Sequence, residues 1–198
     1  DIAAPMCFEV EDRLRDETDI PVFHDDQHGT AVVVVAALAS ALEITGKRAG
    51  DLRAVISGAG AGGCAVARFL LNYGVQDVVL CDSTGAIHEG REEGMNESKR
   101  DIAKVTNRGG ETGSLADVME GKDLFIGLSV ADLVSKDMVR SMADAPIVFP
   151  MANPVPEIWP ADAIEAGAAA AEDGRNINNA LGFPGLFRGA LDSRATDI

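Results

Sequence analysis

"AVISGAGAGGCAVARFLLNYG", residues 54–74, carries Gly58, Gly60 and Gly63 in the spacing G-x-G-x-x-G, directly after an apolar run and at the start of a helical pattern. Set between a strand and a helix, that spacing predicts a turn that binds a dinucleotide. The first glycine permits the tight turn, the second lets backbone approach a pyrophosphate, and the third lets the helix pack on its strand. Free N–H groups at the helix start face the phosphates. Asp82 follows the next apolar run. A carboxylate there accepts bonds from ribose hydroxyls and repels a 2′-phosphate, which favours NAD over NADP. The plainer alternative is a glycine turn whose Asp82 only caps the next loop. Cys64 stands in the helix's first turn, where a thiol can be acidified. Its ordinary role is a small buried filler, and no chemistry is assigned to it.

Outward from this turn, short apolar runs alternate with helical patterns. "RAVIS" (53–57), "DVVLC" (77–81), "DLFIGL" (123–128) and "PIVFPM" (146–151) read as strands buried on both faces. Helices are predicted over 61–73, about 97–106, 114–120 and 135–143, several opened by Ser or Asn, which favour N-caps. The alternation predicts an α/β fold, a Rossmann-like doubly wound parallel sheet flanked by helices. A further helix is predicted from Thr30 to about Leu42, ended by Gly46, although its run of Val also suits a strand. The last helix starts at Pro184 and is expected to turn Leu186, Phe187 and Leu191 inward.

At 198 residues, without eighteen consecutive apolar residues, the chain reads as one soluble domain. Its longest apolar stretch, "AVVVVAALASALEI", is short for a bilayer. The net charge of −15 argues against nucleic-acid and anionic-membrane partners, which need basic patches. Cys7, Cys64 and Cys81 are odd in number and lack metal or redox spacing, which favours a reducing cytoplasm over a disulfide framework. With no initiator Met and no basic-then-apolar leader, the sequence is read as beginning inside a longer gene product.

"HDDQHGT" (24–30) then places two acids between two imidazoles, ahead of the long apolar helix. Acids favour the positive end of a helix, here one that Thr30 would cap, but this accounts for one Asp more readily than for two. His24 and His28 suit zinc but lack a third nitrogen or sulfur ligand. Carboxylate oxygens suit Mg²⁺ or Mn²⁺, with one Asp as ligand and its neighbour orienting another group.

"DIAAPMCFEVEDRLRDETDIPVFHDDQHGTA", the glycine loop, "CDSTGAI", "ANPVPEI" and "NNALGFPGLFRGALD" follow in order over nearly the whole chain, and together they resemble the malic enzymes, especially the compact bacterial type. The resemblance implies that 1–198 is an NAD(P)-binding domain with a metal-ligand segment over 1–30, and that a catalytic domain precedes it. It implies Asp1 and Asp26 as ligands of Mg²⁺ or Mn²⁺ beside a Glu upstream of Asp1, with Asp25 as orienting residue. Ala59, Gly60, Ala61 and Gly62, between Gly58 and Gly63, are expected on the dinucleotide phosphates. Asn153 is expected beside nicotinamide and substrate, and Asn178 or Asn179 on the substrate carboxylate.

The activity so implied is divalent-metal-dependent oxidation and decarboxylation of (S)-malate to pyruvate and CO₂, with reduction of NAD or NADP, by a cytoplasmic homodimer or larger homo-oligomer. Family members use a Lys base and a Tyr acid from an upstream region. The only Tyr here, Tyr73, ends the cofactor helix, and the Lys residues match no such motif, so this chain alone is expected to be inactive. "EDGRNINNALGFPG" also lacks several residues the family usually inserts before the Asn pair. The alternatives are a non-catalytic NAD(H)-sensing domain, whose NAD binding would be indifferent to metal and malate, or another NAD-dependent hydroxy-acid dehydrogenase.

Overall fold

The computed structural model describes residue 2 and residues 6–198. The chain opens with α1 (Met6–Glu17), a wide helical turn at Asp25–Gly29, and α2 (Thr30–Thr45). It continues through β1 (Arg53–Ser57), α3 (Ala61–Tyr73), β2 (Asp77–Asp82), β3 (Gly85–Ala86), α4 (Glu97–Ala103), α5 (Leu115–Met119) and β4 (Leu124–Gly127). It closes with α6 (Lys136–Arg140), β5 (Ile147–Pro150), α7 (Pro160–Glu165), β6 (Ala170–Ala171) and α8 (Phe183–Ser193). The strands form one sheet in the order β3-β2-β1-β4-β5-β6, parallel except for the antiparallel β2–β3 pair.

Side chains alternate across this sheet, and both faces are covered. Ile56, Leu80, Ile126 and Phe149 meet α2 and α3 on one face, through Val34, Leu38, Val66 and Leu70. Val55, Val79, Phe125 and Val148 meet Val118, Val139 and Ala163 of α5, α6 and α7 on the other. Each such side chain contributes about 1.5–3 kcal/mol when fully buried. This two-sided burial is the reason the strands read as unbroken apolar runs. The connections leave β1 first toward β2 and later toward β4, so the winding reverses between β1 and β4. Ser57 is level with Cys81 of β2 and Gly127 of β4. Gly58, Asp82 and Leu128 therefore leave the sheet along one edge, at the place where open α/β sheets bind ligands.

The predicted caps form. Asn96, Ser114 and Ser135 accept from Lys99, Asp117 and Met138 N–H, and Gly46 ends α2 with φ +68°.

Three expectations need correction. Thr30 does not cap α2, because it and Gly29 are already helical and the wide turn from Asp25 runs straight into the helix, with His24 as the extended residue before it. The joined helix of 21 residues is long and apolar enough to cross a bilayer, unlike the 14-letter stretch in the sequence. Ala31, Val34, Leu38 and Ala41 nevertheless lie in the core against α3 and the sheet. Finally, α8 turns only one of its three expected residues partly inward: Leu186 is half-buried, whereas Phe187 is 42% exposed and Leu191 74%. This helix lies off the sheet, and Phe187 meets Phe23 edge-on at 5.5 Å.

Candidate functional site

Each glycine of the loop meets a separate steric demand. Gly58 has φ +112°, and a Cβ there would lie 2.4 Å from the Leu128 carbonyl oxygen at the end of β4. A Cβ on Gly63 would lie 1.9 Å from the Gly58 carbonyl oxygen. Among the described residues nothing lies within 4 Å of the Gly60 Cβ position, so backbone is open to a ligand there. The first helical bond of α3 runs from Cys64 N–H to Gly60 O at 3.0 Å. By helix geometry, the N–H groups of Ala61, Gly62 and Gly63 are left facing outward, at the positive end of a 13-residue helix. Burial pushes the Cys64 thiol pKa up, in keeping with a filler.

Asp82 stands at the end of β2, beside this loop, but not alone. Arg91 donates to both its oxygens (2.8 and 2.7 Å), Lys99 to Oδ2 (2.6 Å) and Thr84 N–H to Oδ1 (2.9 Å). Burial pushes its carboxyl pKa up, but the bonds from Lys99 and Arg91 outweigh this and hold it below the usual carboxylate range. Arg91 is locked in place by further bonds to Gly85, Ala86 and Glu93 carbonyls. Two cations thus face one carboxylate, which offsets the repulsion toward a 2′-phosphate that Asp82 alone would exert.

The wide turn brings "HDDQHGT" onto the same edge. The Asp26 carbonyl oxygen packs against the start of α3, 3.3 Å from where a Cβ on Gly62 would stand. The Asp26 residue is exposed, while Asp25 points inward and accepts from Asn179 Nδ2 at 2.6 Å. The other Asp25 oxygen, Oδ1, is buried and has no hydrogen-bond partner among the described residues. A Cβ on Gly29 would come within 2.0 Å of that oxygen, so only glycine leaves room for it. Burial, and then the charge of Asp26, raise the Asp25 pKa; Asn179 and His24 oppose them. An orphaned buried oxygen beside an exposed carboxylate fits a hard divalent cation such as Mg²⁺ or Mn²⁺. Among the described residues no three metal-ligating side chains converge, and Asp1 lies outside the described residues.

The Asn pair divides its work. Asn178 caps a short turn, accepting from Ala180 N–H and donating to Gly174 O, while Asn179 reaches Asp25 across 154 residues. The short preceding loop closes tightly, with Asp173 buried and held by Arg175 while its carbonyl accepts from Asn176 and Ile177 N–H. Asn153 is exposed on the loop after β5, at the same edge of the sheet.

Sequence reasoning missed Glu11, Gly29 and Glu157. Glu11 of α1 is buried and takes His28 Nε2 (2.7 Å) and Gln27 Nε2 (2.6 Å); His24 lies 3.4 Å away. It thereby ties α1 to the wide turn and occupies His28, one of the two imidazoles that suggested zinc, while the Gln27 amide, 2.6 Å from His24 Nδ1, occupies the other. Nothing in the letters separates Glu11 from the other acids of α1.

The Asp25 environment has a consequence for stability. Its pKa is raised in the fold, so the penalty is absent below the unfolded value of about 3.9 and complete once pH exceeds the folded value. Asp25→Asn should therefore raise the Tm of metal-free protein at pH 7. Calorimetry across pH checks this: the gain should shrink toward pH 4, and a gain independent of pH would contradict it.

The family described as "Malic enzyme, NAD binding domain" matches residues 27–198. The chain is 57% identical over 203 residues to a bifunctional malic/malolactic enzyme of Bacillus subtilis, covering 100% of this chain and 50% of that protein. It is 46% identical over 206 residues to an NADP-dependent malic enzyme of Rhizobium meliloti, covering 100% of this chain and 26% of that protein. A solved NAD-dependent malic enzyme from Thermotoga maritima superposes with a TM-score of 0.95 at 43% identity, covering all of this chain and 54% of that one. The chain thus spans about half the length, or less, of the curated relatives it matches.

Proposed function

Because the chain belongs to the malic enzyme family through its NAD-binding domain, we propose that the full protein converts (S)-malate to pyruvate and CO₂ while reducing NAD or NADP. The observation that carries this reading is the Asn179–Asp25 hydrogen bond beside the glycine loop, because it joins substrate, metal and cofactor candidates from three distant segments.

The loop N–H groups and the positive end of α3 hold the pyrophosphate. When bound, the nicotinamide accepts the hydride, and a divalent cation lowers the cost of negative charge developing on substrate oxygens. Asp26 would hold that cation and Asp25 would stand behind it. Asn179 has two amide donors, and with one committed to Asp25 the other, unpartnered among the described residues, is available to a substrate carboxylate. Asn153, at the edge of the crevice, would orient nicotinamide and substrate. Lys99, beside Asp82, makes room for either dinucleotide.

The proton transfers require other groups. All five lysines are held by carboxylates: Lys47 by Asp123, Lys99 by Asp82, Lys104 by Asp101, Lys122 by Glu111 and Lys136 by Asp162 and Glu165. Tyr73 ends α3, about 18 Å along the helix from the glycine loop. We propose that the general acid and base, a Tyr and a Lys by resemblance to the family, come from outside these residues, and that the chain alone binds dinucleotide without turning over malate.

Asn179→Ala tests the reading. In the full protein it should raise the KM for malate about 10–100-fold, the equivalent of about 1.5–3 kcal/mol for a hydrogen bond to a charged group, and leave the Kd for NAD within threefold. An unchanged KM would contradict it.

A further inference from the structure

Glu157 is fully buried, yet among the described residues it forms no ion pair. Its carboxylate acts only as an acceptor. Oε1 takes Ser129 N–H at 2.9 Å and the Ser129 hydroxyl at 3.2 Å, and Oε2 takes Ala152 N–H at 3.0 Å. The Ser129 hydroxyl also lies 2.9 Å from that of Ser57, the last residue of β1. The carboxyl group fills the space a side chain on Gly127 would need, coming within 2.2–2.5 Å of that Cβ position, so the end of β4 is shaped to receive it. A buried carboxylate without a cation is a costly filler for a gap that an apolar side chain would close more cheaply.

What the carboxylate joins explains its presence. It fastens the segment after β4 to the segment after β5, and through Ser129 and Ser57 it reaches β1 immediately before Gly58. Ala152, held through its N–H, directly precedes Asn153. We infer that Glu157 is a positioning residue that sets Asn153 and the Ser129 loop against the glycine turn, and so fixes the nicotinamide relative to the substrate. This rests on the malate-oxidising reading above. Hydride transfer is sensitive to such placement, since a displacement of about 1 Å costs roughly 10²-fold in rate.

Glu157→Gln keeps the shape and replaces one acceptor oxygen by an NH₂ group, which must then face either Ser129 N–H or Ala152 N–H. In the full protein we expect kcat to fall about 10²-fold, with the Kd for NAD within threefold. The isotope effect on kcat, measured with malate deuterated at C2, should rise as hydride transfer becomes rate-limiting. A residue needed only for folding would reduce the folded fraction and Tm but leave the isotope effect and the turnover per folded site unchanged, and that result would overturn the proposal. Ser129→Ala, which removes one hydroxyl and leaves Glu157 in place, should move kcat and the isotope effect in the same direction by a smaller factor. It decides the question if the Gln variant does not fold, and an unchanged isotope effect there overturns the proposal. Wild-type protein that does not oxidise malate would overturn the functional reading and this inference with it. Normal wild-type turnover with unaffected variants would overturn this inference alone.

Discussion

Gly63→Ala is expected to abolish dinucleotide binding and lower Tm by about 5 °C or more, while Gly60→Ala should spare the fold and lose affinity alone. The new methyl at position 63 would lie 1.9 Å from the Gly58 carbonyl oxygen, a backbone atom that cannot turn aside. Either α3 moves away from β1 or the turn opens, and overpacking of this kind costs about 1–3 kcal/mol, each worth about 2–4 °C. Gly58 cannot absorb the shift, because it is fixed at φ +112° against Leu128. Gly60, in contrast, has φ −83° and open space, so alanine is unstrained there. Its methyl obstructs only a ligand approaching the backbone, and NAD affinity should drop about tenfold or more by calorimetry. Wild-type affinity in Gly60→Ala would mean that the pyrophosphate does not rest on this loop.

Asp26→Asn in the full protein is expected to reduce malate turnover about 10³-fold or more at limiting Mn²⁺, with NAD affinity nearly intact. The exposed carboxylate is the oxygen donor the described residues offer a hard cation next to the buried Asp25. Replacing it by a neutral amide would weaken the hold on a divalent cation, whose charge stabilisation would be worth several kcal/mol of barrier. The cofactor loop touches Asp26 through its carbonyl oxygen, which the substitution keeps. Raising Mn²⁺ should recover part of the activity. Near-normal turnover at limiting Mn²⁺ would remove Asp26 from the metal site.

Much of this fold is legible in the letters because its constraints fall on single residues. The strand runs are apolar on both faces, as buried parallel strands require, and the glycine turn needs its three glycines at fixed offsets. The partners of Asp82 are less legible. Arg91 comes from the loop after β3 and Lys99 from α4, and no spacing rule says that either returns to the end of β2. Thr30 looks like a cap from its type, but the wide turn before it already supplies a helical path, and wide turns have no residue signature. The spacing of Leu186, Phe187 and Leu191 identifies a shared face without saying what covers it. Asn179 and Asp25 are 154 residues apart, so their bond exists only in the folded chain. Glu157 sits in the quoted "ANPVPEI", in the loop after β5, yet its burial depends on the space left at Gly127, which belongs to β4.

The full protein, supplied with Mn²⁺, saturating NAD or NADP and malate labelled at its C4 carboxylate, gives the most direct test of one crevice performing oxidation and decarboxylation together. The expected result is labelled CO₂, pyruvate and reduced dinucleotide in equal amounts, with all three falling together in Asp26→Asn. Reduced dinucleotide without labelled CO₂ would mark a simple hydroxy-acid dehydrogenase, and dinucleotide binding with no malate consumed would mark a sensing domain. Either result would contradict that expectation.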